Sequence, residues 1–122
     1  MTYAEIRAMA MFQTGNDTAD YTEYEPSLGA YINEGYGKLL YAYDKTRVGD
    51  ETSPALAEDT DVPGIPEHAH RAIADYATYM LYRNGSPERQ RRGAPYYQQF
   101  YEVLSGLAQQ SGTNVQFTNM FR

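Results

Sequence analysis

The sequence predicts an all-α protein, a small antiparallel bundle of about four helices with one long loop and an extended C-terminal tail. Along four segments, apolar residues recur at steps of three and four, which is the period of an amphipathic helix. Residues 46–65 and 111–122 lack that period. Since 122 residues suffice for one hydrophobic core, we assign residues 1–110 to a single helical domain and residues 111–122 to the tail.

The aromatic composition is unusual, with 13 Tyr, 4 Phe and no Trp. A tyrosine ring packs like that of phenylalanine while its hydroxyl stays at a polar edge, which suits half-buried surfaces and protein interfaces. Two compatible interpretations follow. The tyrosines fill a small core, or they form a surface that binds another protein.

Charge is distributed unevenly along the chain. The net charge is −6, and residues 1–61 carry 4 basic and 12 acidic side chains whereas residues 62–122 carry 6 and 4. The net negative charge argues against wrapping duplex DNA. The asymmetry fits identical subunits held head-to-tail, acidic face to basic face, and it equally fits two solvated faces.

Catalytic and metal-binding patterns are missing from the sequence. There is no Cys, which excludes disulfides and thiolate zinc sites. His68 and His70 lie about 200° apart on a helix and cannot bind one metal together, so we interpret His70 as a surface or interface residue. No Gly-x-Ser-x-Gly or HExxH motif occurs, and we expect a non-enzymatic protein without a cofactor. With neither a signal sequence nor a membrane-length apolar run, we expect it in the cytosol or in a particle assembled there.

The first helix is predicted from a capping box. Thr2 and Glu5 have the spacing at which each side chain accepts a hydrogen bond from the other residue's backbone N–H. We predict a helix from there to about Gln13, ended by residues 14–17. Its inward positions are Ile6, Met9, Ala10 and either Phe12 or Gln13.

The second helix carries one continuous apolar stripe and is predicted to begin at or just before Pro26. Gly29, Gly35 and Gly37 lie inside it, and each costs about 1 kcal/mol relative to Ala. We attribute these glycines to the close approach of another helix or subunit. The stripe comprises Tyr24, Leu28, Tyr31, Ile32, Gly35, Tyr36, Leu39, Leu40 and Tyr43.

Residues 46–65 form the one long excursion, and a loop of this length in a small domain often has a function. Asp59, Asp61 and Gly64 resemble the opening of an EF-hand loop, but Pro63 and His70 stand where calcium ligands are required. Calcium is therefore not expected, and the acidic side chains are either solvated or meet a basic neighbour. The candidate interface acids are Asp50, Glu51, Asp59 and Asp61.

The third helix is predicted from about Pro66 to Asn84. Gly85 is suited to the left-handed backbone that ends a helix, Ser86 caps the next helix and Pro87 takes its first position. Such a short connection turns the fourth helix back along the third. The predicted inward face is Ala69, Ile73, Tyr76, Ala77, Met80 and Leu81, and the opposite face is Glu67, Arg71, Ala74, Asp75 and Thr78.

The fourth helix begins with arginines, which oppose the helix dipole at that end. Because they do not stabilise the helix, we predict that they contact acidic residues of a neighbouring subunit, with a solvated face as the alternative. Pro95 is expected to kink or split the helix. The candidate interface arginines are Arg83, Arg89, Arg91 and Arg92, and the predicted inward positions are Ala94, Tyr97, Phe100, Tyr101, Leu104, Leu107 and Ala108.

Residues 111–122 have no helical period, and Gly112 among polar neighbours predicts a joint after the fourth helix. Phe117, Met120 and Phe121 have no core of their own there and are candidate interface residues. Either they dock on another protein, or the tail folds back over the second and fourth helices of its own chain.

A family resemblance rests on four stretches, residues 31–36, 66–79, 82–85 and 90–93. Together with the helix order over roughly residues 1–110, they resemble the small head–tail connector (adaptor) proteins of tailed bacteriophages and prophages. The chain departs from the commoner form of that family in having Tyr where related chains often have Trp, and in its longer C-terminal tail.

The resemblance implies a structural subunit of the virion neck that is assembled in the host cytoplasm. Such subunits form a ring of about twelve copies under the portal protein, and the ring provides the docking surface for the next neck or stopper protein. The implied partners are the portal, neighbouring copies and that downstream protein, without a membrane or sequence-specific nucleic acid, although packaged DNA passes through such a ring. The alternative is a small, non-enzymatic helical domain that binds a partner or regulates it.

Overall fold

The computed structural model describes residues 1–15, 18–44, 55–83 and 86–110, with the backbone alone for residues 18–26 and 110. These ranges contain four helices and no strand, so the predicted all-α bundle is confirmed. The tail, Lys45 and residues 46–54 of the predicted loop lie outside the described residues. The helices are α1 (Tyr3–Gln13), α2 (Thr18–Asp44), α3 (His70–Arg83) and α4 (Pro87–Gln110).

The capping box at the start of α1 is confirmed. The Glu5 N–H donates to Thr2 Oγ1 at 3.3 Å and the Thr2 N–H donates to Glu5 Oε1 at 2.9 Å. Ile6 is fully buried whereas Phe12 is 80% exposed. Of the two alternatives at the end of the helix, Gln13 is therefore the one that faces the core.

Helix α2 begins at Thr18, eight residues before the predicted start at Pro26. A proline inside a helix removes one backbone hydrogen bond, and the neighbouring turns of α2 continue past that local loss. The close approach predicted for the glycines holds at Gly35, where an added Cβ would lie 2.9 Å from Tyr76 Cδ1. At Gly37 nothing lies within 4 Å of such a Cβ.

Helix α3 is the centre of the bundle, since it packs against α1, α2 and α4. A 3₁₀ turn at Glu67–Ala69 precedes it, which accounts for the earlier predicted start. The prediction of an outward face is wrong for Ala74, Asp75 and Thr78, which are at most 4% exposed. The reason is that α1 covers the part of this side where these three residues lie, whereas Arg71 on the same side is exposed as predicted.

Polar side chains at the contact between α1 and α3 form hydrogen bonds with one another. Gln13 Nε2 donates to Asp75 Oδ1 at 2.9 Å, and Thr78 Oγ1 donates to Gln13 Oε1 at 2.7 Å. Burial raises the pKa of Asp75, while the hydrogen bond from Gln13 acts in the opposite direction. A buried polar contact of this kind fixes how α1 lies on α3 because few other arrangements satisfy all its members.

His70 is 1% exposed, so its interpretation as a surface or interface residue is wrong. Its Nε2 donates to the Ile65 carbonyl at 2.8 Å, and its Nδ1 lies 2.8 Å from the Met1 ammonium and 3.3 Å from Glu67 Oε2. The segment before α3 folds over this side chain and gives both ring nitrogens polar partners. His70 thus anchors the segment to α3.

That segment, residues 55–66, is held to α1 and α2. The Asn33 amide accepts from the Leu56 N–H at 2.7 Å and donates to the Leu56 carbonyl at 2.9 Å. Further along, the Gly64 N–H donates to the Tyr36 hydroxyl at 2.8 Å. Leu56 and Ile65 are buried, so this half of the predicted acidic loop contributes to the core.

The predicted start of α4 is confirmed, because Pro87 is its first residue and the Ser86 Oγ accepts from the Arg89 N–H at 3.4 Å. Helix α4 continues through Pro95 as one helix of 24 residues, so the predicted split does not occur. Residues Asn84 and Gly85 lie outside the described residues, and α3 ends just before them, at Arg83.

Helix α4 runs antiparallel to α3, as predicted. Tyr76 meets Phe100 and Tyr79 meets Tyr97, each with ring centroids 4.8 Å apart, so positions that advance along α3 recede along α4. The predicted burial of Ala94, Tyr97 and Tyr101 is wrong, since all three are exposed. These residues lie at the border of the α4 stripe, where none of the other helices in the described ranges covers them.

Candidate functional site

An aromatic groove lies between α2 and α4 of the described chain, with α3 as its floor. Tyr76 of α3 is 4% exposed and Phe100 of α4 is 2% exposed, and the two rings form the deepest part. Gly35 makes this possible, because its missing side chain lets the Tyr76 ring lie against the α2 backbone. The floor of the groove is therefore part of the hydrophobic core.

The Tyr76 hydroxyl is tied to α2. It donates to Glu34 Oε1 at 2.7 Å, and Lys38 Nζ lies 6.0 Å from the centre of the same ring. Burial, and then the hydrogen bond to Glu34, raise the pKa of Tyr76 far above its ordinary value. The hydroxyl therefore stays protonated and acts as a hydrogen-bond donor that joins α3 to α2.

The walls of the groove carry tyrosines that remain open to solvent. Tyr41 is 60% exposed, Tyr97 is 42% exposed and Tyr101 is 54% exposed. These are three of the five exposed large hydrophobic side chains in the described ranges, the others being Phe12 and Val62. Exposed aromatic rings gathered around one depression are typical of a surface that binds another chain.

The groove has a volume of about 1220 Å³. Pockets for small molecules usually measure about 300–1,000 Å³, so this open depression is large enough for a peptide segment or a helix. Its lining combines aromatic faces and hydroxyls with one acid, Glu34, and two bases, Lys38 and Arg83. Such a set binds apolar side chains and orients them with a few polar contacts.

Arginines cluster in sequence where α3 ends and α4 begins, and Arg83 at the end of α3 lines the groove. Arg92 pairs with Glu88 one turn earlier at 2.9 Å, and the Arg89 guanidinium lies 5.4 Å from the centre of the Tyr82 ring. Arg83 and Arg91 are exposed. Of the four arginines predicted at an interface, these two are the most open to a partner's carboxylates.

The two predicted acidic residues that the structure describes have partners other than the predicted arginines. Asp59 pairs with Arg7 of α1. The Asp61 carboxylate accepts from the backbone N–H groups of Ala57 and Glu58 at 2.9 and 2.8 Å, and these bonds lower its pKa. The other predicted interface residues, Asp50, Glu51, Phe117, Met120 and Phe121, lie outside the described residues.

Periodicity did not identify the groove, because it counted Tyr97 and Tyr101 as inward positions. The signal that pointed to it was compositional, namely the excess of tyrosine over other aromatic residues. Among the residues that the structure describes, no group of three or more His, Asp or Glu side chains could hold a metal ion. In the same ranges, no helix combines the length and apolar character needed to cross a membrane.

Comparison with known proteins does not identify a family. No protein-family model, no curated protein and no solved structure matches the chain.

Proposed function

We propose that this chain is a structural head–tail connector (adaptor) subunit of a tailed bacteriophage or prophage. In this role it binds the portal as one subunit of a ring at the virion neck, and the ring receives the next neck or stopper protein. The proposal rests on the family resemblance for the identity of the partners and on the aromatic groove for the way they are bound.

The groove is the observation that carries the binding role. Its walls expose Tyr41, Tyr97 and Tyr101, while its floor is fixed by the core contact between Tyr76 and Phe100. Rigid tyrosines contribute large contact area at little conformational cost, because only two side-chain angles are ordered on binding. A helix or extended segment of the portal, or of an adjacent subunit, fits this surface.

The arginines where α3 ends and α4 begins give the second contact. Arg83, which lines the groove, and Arg91, in the first turns of α4, are exposed and are available to carboxylates of a neighbouring copy, such as those of Asp50 and Glu51. A head-to-tail contact of this kind joins different faces of identical subunits and closes into a ring when the rotation permits. Assembly should weaken with salt, because exposed charges more than about 8 Å apart are screened at physiological ionic strength.

The decisive experiment is co-purification of the tagged chain with portal-containing particles. We expect the wild-type chain to attach to particles and a Tyr97→Ser, Tyr101→Ser double variant to lose attachment. The matched control is Phe12→Ser, which also removes an exposed ring but lies outside the groove, and it should attach normally. If the wild-type chain does not bind such particles, the connector function is wrong. If the double variant binds as well as the control, the groove is not the binding surface.

The charge contact is tested separately with Arg89→Glu, Arg91→Glu, Arg92→Glu in one chain. All three positions are at least partly exposed, so the variant should fold. We expect it to fail to assemble on particles at low salt, where the wild type assembles best. Normal assembly of this variant would show that the arginines form a solvated face.

A further inference from the structure

The aromatic groove lies directly beside the point where the described chain ends. Ser105 and Ala108, in the last turns of α4, line it, and α4 ends at Gln110. We propose that residues 111–122 of the same chain fold back and occupy this groove. The inference concerns the free protein and holds whether or not the chain is a connector.

The length of the segment suits this path. Along α4, the distance from Ala108 back to Tyr97 is about 16 Å, since a helix rises about 1.5 Å per residue. Residues 113–122 span up to about 30 Å when extended, at about 3.3 Å per residue. One reversal of the chain after Gln110 is therefore enough to bring the segment along the whole groove.

The sequence at the start of the segment is suited to that reversal. Residues 111–114 read Ser-Gly-Thr-Asn. Gly adopts the left-handed backbone of tight turns without steric cost, and Ser and Asn side chains bond to their own backbone in turns. The residues that favour a reversal of the chain are therefore present at this place.

The residues that follow match the chemistry of the groove. Val115 and Phe117 are two apart and lie on one face of an extended segment, which leaves Gln116 and Thr118 on the other. Phe121 lies on the same face as Val115 and Phe117, and phenylalanine rings pack favourably against other aromatic rings. The groove offers such rings at its floor and along its walls.

The same chain is favoured over a second copy by effective concentration. A segment joined to the groove by a few residues is present at millimolar effective concentration. A groove on another molecule competes only when the protein itself approaches that concentration. The contact is therefore intramolecular in dilute solution.

The test uses the full chain, which contains no Trp. Phe121→Trp introduces a single tryptophan, which is excited at wavelengths that the 13 tyrosines do not absorb. A peptide of residues 111–122 with the same substitution gives the emission of a solvated tryptophan. We expect the emission of the protein to lie at shorter wavelength than that of the peptide and to resist quenching by acrylamide. Both properties should be independent of protein concentration.

A second substitution assigns the contact to the groove. Adding Tyr101→Ser, at a position that is 54% exposed, should return the emission toward that of the peptide while the helical circular dichroism is kept. Adding Phe12→Ser, at an 80% exposed position outside the groove, should change nothing. If Tyr101→Ser has no effect, the segment packs elsewhere and the proposal is wrong.

Two further outcomes overturn the proposal. A shift that grows with protein concentration means that the occupant is the segment of a second copy. Solvent-like emission from Phe121→Trp is checked with Phe117→Trp, in case the larger ring prevents docking at one position. Solvent-like emission from both variants means that the segment does not enter the groove.

Discussion

The packing of α2 on α3 depends on one missing side chain, and Gly35→Ala tests that dependence. A Cβ at this position would lie 2.9 Å from Tyr76 Cδ1 and 3.0 Å from both Cβ and Cγ of the same residue, where ordinary contacts begin at 3.4 Å. Tyr76 cannot turn away, because its ring packs on Phe100 and its hydroxyl is bonded to Glu34. The two helices must therefore separate by several tenths of an ångström.

Two opposing terms set the size of the effect. Forcing an extra methyl group into a packed core costs about 1–3 kcal/mol. Replacing a glycine inside a helix with alanine stabilises the helix by about 1 kcal/mol. Gly106→Ala in α4 gives the second term alone, since nothing lies within 4 Å of a Cβ at that position. The difference in the free energy of unfolding between the two variants is thus the packing cost, about 1–3 kcal/mol.

Urea denaturation followed by far-ultraviolet circular dichroism measures both variants against the wild type. We expect Gly106→Ala to be slightly more stable than the wild type and Gly35→Ala to be less stable. In thermal unfolding, each kcal/mol corresponds to about 4 °C for a chain of this size. If Gly35→Ala is as stable as Gly106→Ala, α2 does not approach α3 as closely as described, and the explanation of this glycine fails.

Two further variants test the polar contacts of the fold. Burial raises the pKa of Asp75, so its carboxyl group binds a proton more tightly in the folded chain than in the unfolded chain. The resulting contribution to the free energy of unfolding is fully present below the pKa that Asp75 has in the unfolded chain. It is lost as pH rises through the raised pKa of the folded chain. Relative to Asp75→Asn, the wild type should therefore lose free energy of unfolding as pH rises through that window, measured by urea titrations at several pH values; parallel profiles would contradict this. Asn33→Ala removes both hydrogen bonds to Leu56 and should lower the free energy of unfolding by about 2 kcal/mol. Amide hydrogen exchange at Leu56 should become faster. The control is Gln90→Ala, which removes an exposed hydrogen bond and should lower the free energy of unfolding by less than about 0.5 kcal/mol. Equal losses for these two variants would show that Asn33 does not hold the segment.

Features set by neighbouring residues were predictable from the sequence. The capping box of Thr2 and Glu5 and the start of α4 at Ser86 and Pro87 depend on backbone groups one turn away, and both are present. The antiparallel arrangement of α3 and α4 follows in the same way from the short connection between them. Local rules suffice here because the partners of each group lie a few residues along the chain.

Features set by distant segments were not predictable in this way. His70 has the polarity of a surface residue, and it is buried because residues 55–66 fold over it. Asp75 and Thr78 lie opposite the apolar stripe of α3. They are buried because α1 packs on this side of α3, where the Gln13 side-chain amide forms hydrogen bonds with both residues. A periodic pattern reports how many sides of a helix are apolar, whereas burial depends on how many helices surround it.

The groove shows the same limit of sequence-based prediction, here for residues that were predicted to be buried and are exposed. Tyr97 and Tyr101 continue the apolar stripe of α4, yet they are exposed because α2 and α3 reach only part of that stripe. The sequence therefore located an excess of apolar surface on α4 without showing which part of it the bundle covers.

Tyrosine lies in two different settings in the described chain, buried in the core and exposed around the groove. The hydroxyls of Tyr36 and Tyr82 bond to the backbone of Gly64 and Thr14, 28 and 68 residues away, so buried rings also connect distant segments. Phenylalanine would fill the same space without making these connections. Composition alone could not assign a given tyrosine to the core or to the surface because both settings occur.

The two settings meet at Tyr76. Its ring is part of the core and is also the floor of the groove, so the proposed occupant of the groove would pack directly on the α2–α3–α4 contact. An occupant that binds the folded chain and not the unfolded chain raises the free energy of unfolding by mass action. The proposed occupancy of the groove should therefore stabilise the bundle, because the surface that would accept the occupant is the outer layer of the core itself.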